Sequence, residues 1–125
     1  MSLIDEKSRG VFAIAVTPFT EDGVVDFASV DSMVEFYLES GCSGLTILGV
    51  MGEASKLTAE EAVGLTRRVI KRAGNTPVVV GVSGPAFSPM RALTNEVMDI
   101  GAAGVMIAPM AGLNTDQKIE SYFCS

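Results

Sequence analysis

Gly49-Val50-Met51-Gly52-Glu53 is the segment of this chain best suited to chemistry, because two glycines flank two residues directly after an apolar run. Glycines in such a turn let successive backbone N–H groups point outward, where they can hold an anion. Val50 and Met51 are therefore candidates to bind a carboxylate through their main-chain amides, whatever their side chains. A tight turn whose glycines only avoid clashes is the competing reading. Glu53 lies near the expected start of a helix, where the dipole and free amides favour a carboxylate by about 0.3–1 kcal/mol. It reads as an amide-anchoring residue rather than a catalytic one. Thr17-Pro18-Phe19, Ser83-Gly84 and Pro109-Met110-Ala111 follow other apolar runs in the same way. Thr17 offers a hydroxyl there, although threonine ending a strand before proline is also ordinary.

The remaining inventory is short. The chain has no His, which removes Ser-His-Asp, Cys-His and His-ligated metal chemistry, and neither a metal nor a cofactor is expected. The lysines are Lys7, Lys56, Lys71 and Lys118. A Schiff-base lysine must be desolvated at a strand end to be neutral near pH 7. Lys56 alone lies near the strand ends, in a loop where lysines are usually solvated. A net charge of −6 argues against nucleic-acid or anionic-membrane partners. Cys42 and Cys124 have no paired spacing and read as reduced thiols of a cytoplasmic protein. No apolar run approaches the ~20 residues of a membrane span, and Met1-Ser2-Leu3 is too short and polar to target the chain.

Elements that position these residues follow from the hydrophobic period. Strands are expected at about 11–16, 45–48, 78–82 and 105–108, each a short apolar run suited to burial on both faces. Between them run helical stripes: Val30, Met33, Val34, Tyr37 and Leu38; then Ala62, Leu65, Val69 and Ile70; then Leu93, Val97 and Ile100. Thr58 and Glu61 form a capping box, Ser88-Pro89 an N-cap with proline at the first helical position, and Thr115 or Asp116 caps a fourth helix. Strand starts recur at roughly the 30-residue length of a βα unit. Gly41-Cys42-Ser43-Gly44 before strand two is echoed by Gly101-Ala102-Ala103-Gly104 before strand four.

Two α/β architectures accommodate four such units. One is a complete flavodoxin-like sheet of order 2-1-3-4 that binds a ligand without covalent chemistry. The other is the first half of a parallel (β/α)8 TIM barrel, with order 1-2-3-4. The last helix ends in Tyr122-Phe123-Cys124-Ser125 without a stop signal, so the chain is expected to cover about four of eight units, with residues 1–125 forming the N-terminal half of one domain.

Together the motifs resemble the dihydrodipicolinate synthase / N-acetylneuraminate lyase family. Gly10-Val11-Phe12-Ala13 leading to Thr17-Pro18-Phe19 carries the likeness, as do Gly44-Leu45 with Gly49-Val50-Met51-Gly52-Glu53 and Leu57-Thr58 with Glu60-Glu61. Pro77-Val78-Val79-Val80-Gly81-Val82 and Gly101-Ala102-Ala103-Gly104 leading to Pro109 complete it. The resemblance implies a TIM-barrel class I lyase or aldolase, usually a homotetramer, that joins pyruvate or another 2-oxo acid to a strand-six lysine. It implies that Gly49, Val50, Met51 and Gly52 bind the acid's carboxylate, that Thr17 is a further substrate-binding residue, and that Glu53 and Pro109 are structural at the site. It places the Schiff-base lysine and a proton-relaying tyrosine after Ser125, leaving no catalytic residue within the chain. The family usually has Thr or Ser where Val50 and Met51 stand, and Pro-Tyr-Tyr where Pro109-Met110-Ala111 stands. These departures imply a divergent member acting on another 2-oxo acid as aldolase or dehydratase.

Overall fold

The computed structural model describes residues 3–84, 86–109 and 113–124. Strands β1 (Phe12–Ile14), β2 (Gly44–Ile47), β3 (Val78–Gly81) and β4 (Gly104–Met106) alternate with helices α1 (Phe27–Glu39), α2 (Ala59–Ala73), α3 (Phe87–Ile100) and α4 (Asp116–Phe123). A 3-10 turn, Ala54–Lys56, precedes α2. All neighbouring strands are parallel and the sheet order is β1-β2-β3-β4. That sequential order excludes the flavodoxin-like arrangement, whose strands double back around the first. It is the order of consecutive units in a (β/α)8 barrel.

Side-chain parity shows where the helices lie. Leu45, Ile47, Val78, Val80 and Val82 join Val30, Val34, Leu65, Val69 and Val97 in one buried core, with Ala13 and Val105 packed against it. The alternate strand positions face away from the helices, as the two-residue pleat requires. One row across that second face is Ile14, Thr46, Val79 and Gly104. Burial on both faces, expected for every strand, holds for the central β2 and β3 only. Ile14 on the edge strand β1 is 50% exposed and Met106 on the edge strand β4 is 37% exposed. An edge strand has one neighbour rather than two, so its far-face side chains are covered from one side alone.

The repeated Gly-x-x-Gly has a double physical basis. Gly41 and Gly101 follow α1 and α3 with φ of +88° and +122°, a backbone region in which a side chain is strained. Gly44 and Gly104 leave room on the second face: a Cβ at Gly44 would lie 2.5 Å from the Phe12 ring, and one at Gly104 would lie 2.8 Å from the Ile4 side chain. Ile4 is held there by its amide, which donates to Ala103 O at 3.1 Å. Phe12 and Ile4 thus fill the lower end of the concave face.

Local capping agrees with the sequence in two helices and differs in one. Thr58 and Glu61 exchange side-chain and backbone bonds at 3.1 Å each, and Thr115 Oγ1 accepts from Lys118 N at 3.2 Å. α3, in contrast, begins at Phe87 with Ala86 as its N-cap, and no side chain caps it. Ser88 and Pro89 therefore fall inside the first turn, where a missing amide hydrogen still breaks no helical bond. α1 and α2 are tied on their outer faces by Arg68, whose Nε and Nη2 donate to Asp31 Oδ1 and Oδ2 at 2.9 Å each, and by an Arg72–Glu35 ion pair. Cys42 and Cys124 are both free thiols. Among the described residues, no helix is long and apolar enough to cross a membrane.

Candidate functional site

The β2–α2 loop is built around two residues in the left-handed region. Leu48 has φ of +59° and Glu53 has φ of +53°. Non-glycine residues held there cost roughly 1–3 kcal/mol each, and such strain concentrates where a loop shape is functionally required. Leu48 turns the chain off β2, and Gly49–Gly52 fold back over it. A Cβ on Gly52 would lie 3.0 Å from Leu48 N and 3.3 Å from Ala15 O, so the turn is packed against backbone on two sides. Glu53 N closes it by donating to Val50 O at 3.0 Å.

Thr17 locks the loop from β1. Its Oγ1 donates to Gly52 O at 2.6 Å, and both residues are buried. The hydroxyl expected to bind substrate is instead committed to positioning the loop, because its one proton is donated to Gly52 O. Gly81 on β3 lies against the other side, where a Cβ would approach Leu48 O to 2.2 Å. No rotamer relieves a clash with backbone, so β3 comes close enough to brace Leu48 only because position 81 has no side chain.

Held this way, the loop presents main-chain amides rather than side-chain chemistry. Among the described residues, the N–H groups of Val50 and Met51 have no intramolecular acceptor. Their side chains are 93% and 60% exposed and carry no hydroxyl. Two adjacent free N–H groups in a turn held by Thr17 and Gly81 can donate to one carboxylate, each bond to a charged acceptor being worth about 1.5–3 kcal/mol.

Glu53 differs from expectation. α2 starts six positions later and is capped by Thr58 and Glu61, so Glu53 is too far away to reach its amides. Its side chain caps nothing; Oε1 instead accepts from Lys56 Nζ at 2.7 Å. The pair offsets a negative charge beside the amides, and it leaves Lys56 as an exposed surface cation. All four lysines are exposed.

The other strand ends are also structural. Ser83 Oγ accepts from Ala108 N at 2.8 Å, tying β3 to β4 much as Thr17 ties β1 to the β2 loop. Pro109 is exposed three residues beyond the end of β4, and Met110 and Ala111 lie outside the described residues. Tyr122 of α4 donates to Gly84 O at 2.9 Å, a contact that its position in a helical stripe did not reveal. A cleft of about 440 Å³ lies beside that contact, lined by Phe87, Leu113 and Tyr122 among others, and does not include the amide loop. Carboxyl groups held below their usual pKa lie elsewhere: Asp26 through its bonds with Ser29 at the start of α1, and Asp31 through Arg68.

Residues 7–124 match the model of the dihydrodipicolinate synthetase family. The chain belongs to that family. It is 31% identical over 117 residues to 4-hydroxy-tetrahydrodipicolinate synthase from Coxiella burnetii, covering 92% of this chain and 40% of that protein. A dihydrodipicolinate synthase structure from Rhodopseudomonas palustris superposes with a TM-score of 0.92 at 50% identity, over 99% of this chain and 41% of that one. YagE, a prophage protein of the family from E. coli K12 solved in complex with pyruvate, gives a TM-score of 0.81 at 28% identity, over 91% of this chain and 39% of its own. The chain thus spans about 40% of the length of these relatives and corresponds to the first βα units of their barrels.

Proposed function

We propose that residues 1–125 are the N-terminal half of a single TIM-barrel domain in a class I lyase or aldolase acting on pyruvate or a related 2-oxo acid. The observation that carries the reading is the pair of acceptor-free amides at Val50 and Met51, in a loop locked by Thr17 and braced at Gly81. These amides would hold the substrate carboxylate and leave the 2-oxo group facing the barrel axis. A Schiff-base lysine and a relay tyrosine would come from later strands of the full-length gene product. Within this segment, Gly49 and Gly52 shape the cradle, Thr17 positions it, and Glu53 and Pro109 are structural. The absence of hydroxyls at positions 50 and 51 supports a reaction that uses no side-chain proton relay through the loop, as in a divergent aldolase or dehydratase. Family membership supports a homo-oligomer in the cytoplasm, with no cofactor.

Borohydride trapping on the full-length gene product tests this. Pyruvate with borohydride should leave a stable secondary amine on one lysine, detected by mass spectrometry, and a barrel that forms no adduct with any 2-oxo acid would refute the lyase reading. The alternative is a barrel that binds a small carboxylate without covalent chemistry. It predicts saturable binding with no trapped adduct.

A further inference from the structure

We infer that Met106 is a specificity-determining residue, forming the floor beneath the amide cradle and limiting the bound acid to a short carbon chain. The inference rests on the carboxylate-binding reading of the loop. Met106 pairs in register with Gly81, on the sheet face turned away from the helices. Below this level the concave face is already occupied, by Val79, by Phe12 over Gly44 and by Ile4 over Gly104. At the level of Gly81 no side chain projects from β3, which leaves a gap between β2 and β4. Met106 crosses it: its Cε lies 3.4 Å from where a Cβ on Gly49 would stand. The thioether of β4 therefore reaches Gly49, the first residue of the cradle in the loop after β2, passing over the glycine of β3 between them. Methionine suits that span because it is long, unbranched and polarizable.

A carboxylate seated on Val50 and Met51 has its carbon chain next to this methyl group. Pyruvate ends at a methyl and fits above it. Each further methylene must displace the Met106 side chain or turn up toward solvent. A hydrophobic wall typically discriminates by about 10–200-fold per methylene.

Calorimetric titration of the full-length gene product with pyruvate, 2-oxobutanoate and 2-oxohexanoate tests the inference. M106V shortens the floor with a residue that favours strands, and M106L keeps its bulk. Wild type and M106L should bind pyruvate at least about tenfold more tightly than 2-oxohexanoate, and M106V should narrow or invert that ratio. Equal ratios in wild type and M106V, with melting curves showing both folded, would overturn the inference. If M106V does not fold, M106F replaces it and should steepen the ratio; an unchanged ratio there overturns it equally. Borohydride trapping is read separately. A length preference that shifts with residue 106 while no adduct forms refutes the lyase reading and sustains this one. Absence of binding by every acid overturns both.

Discussion

Replacing Thr17 by valine probes the link between fold and site most directly. The two side chains have nearly the same shape, so T17V exchanges a hydroxyl for a methyl at a position only 6% exposed. In the native protein the hydroxyl lies 2.6 Å from Gly52 O. A methyl carbon cannot approach a carbonyl oxygen closer than about 3.3 Å, so the Gly52 peptide must move by several tenths of an ångström. It also loses its donor, and a buried carbonyl without a partner costs about 1–3 kcal/mol. T17V should therefore destabilise by about 1–3 kcal/mol, seen in urea as a lower midpoint with an unchanged m-value. T17S keeps the hydroxyl and loses one buried methyl, about 0.8 kcal/mol. Stability should fall in the order wild type, T17S, T17V. The same displacement tilts the amides of Val50 and Met51, so affinity for pyruvate should drop in T17V and survive in T17S. If T17V matched wild type in both urea midpoint and pyruvate affinity, the argument that this hydroxyl positions the loop would be wrong.

Other consequences can be checked on the same samples. T58A removes the acceptor for Glu61 N at the start of α2 and should cost about 1 kcal/mol in urea unfolding, with T58S close to wild type. The Asp31 carboxyl is held below its ordinary value of 3.8, first by its hydrogen bond with Arg68. A lowered folded-state pKa adds stability above the unfolded-state pKa and loses it as pH falls through the folded-state value. D31N should therefore be less stable than wild type at pH 7, and the two should converge once the pH falls below the lowered folded-state value, where Asp31 is protonated in both states. Because the pair is exposed, the pH 7 difference should be small and should shrink further in 1 M salt, where the screening length is about 3 Å.

Most of the architecture was legible along the chain because it depends on local periodicity. Apolar runs, the Thr58–Glu61 box and the glycines after α1 and α3 each encode a backbone state within a few residues. The amide loop was legible as a candidate for the same reason. Glu53 was misread because the sequence does not show that a 3-10 turn separates it from α2; with that turn in place its nearest charged partner is Lys56. A glycine in the otherwise β-branched run Val78–Gly81 was a signal that backbone comes close there, though not which backbone. Met106 carried no signal of its own, since a methionine in an apolar strand is ordinary core.

The sequence by itself determined that strands and helices alternate, which residues cap α2 and α4 and which glycines close α1 and α3, and that two glycines flank the second strand–helix turn. It left the sheet order open, because hydrophobic period records which side of a strand is buried and not which strand lies beside it. Only the tertiary structure decided that the order is sequential, that Thr17 locks Gly52 across two strands, and that Met106 reaches Gly49 over Gly81. The strand pairing and the two contacts join residues distant in the chain, and the contacts form only where parallel pairing sets the register.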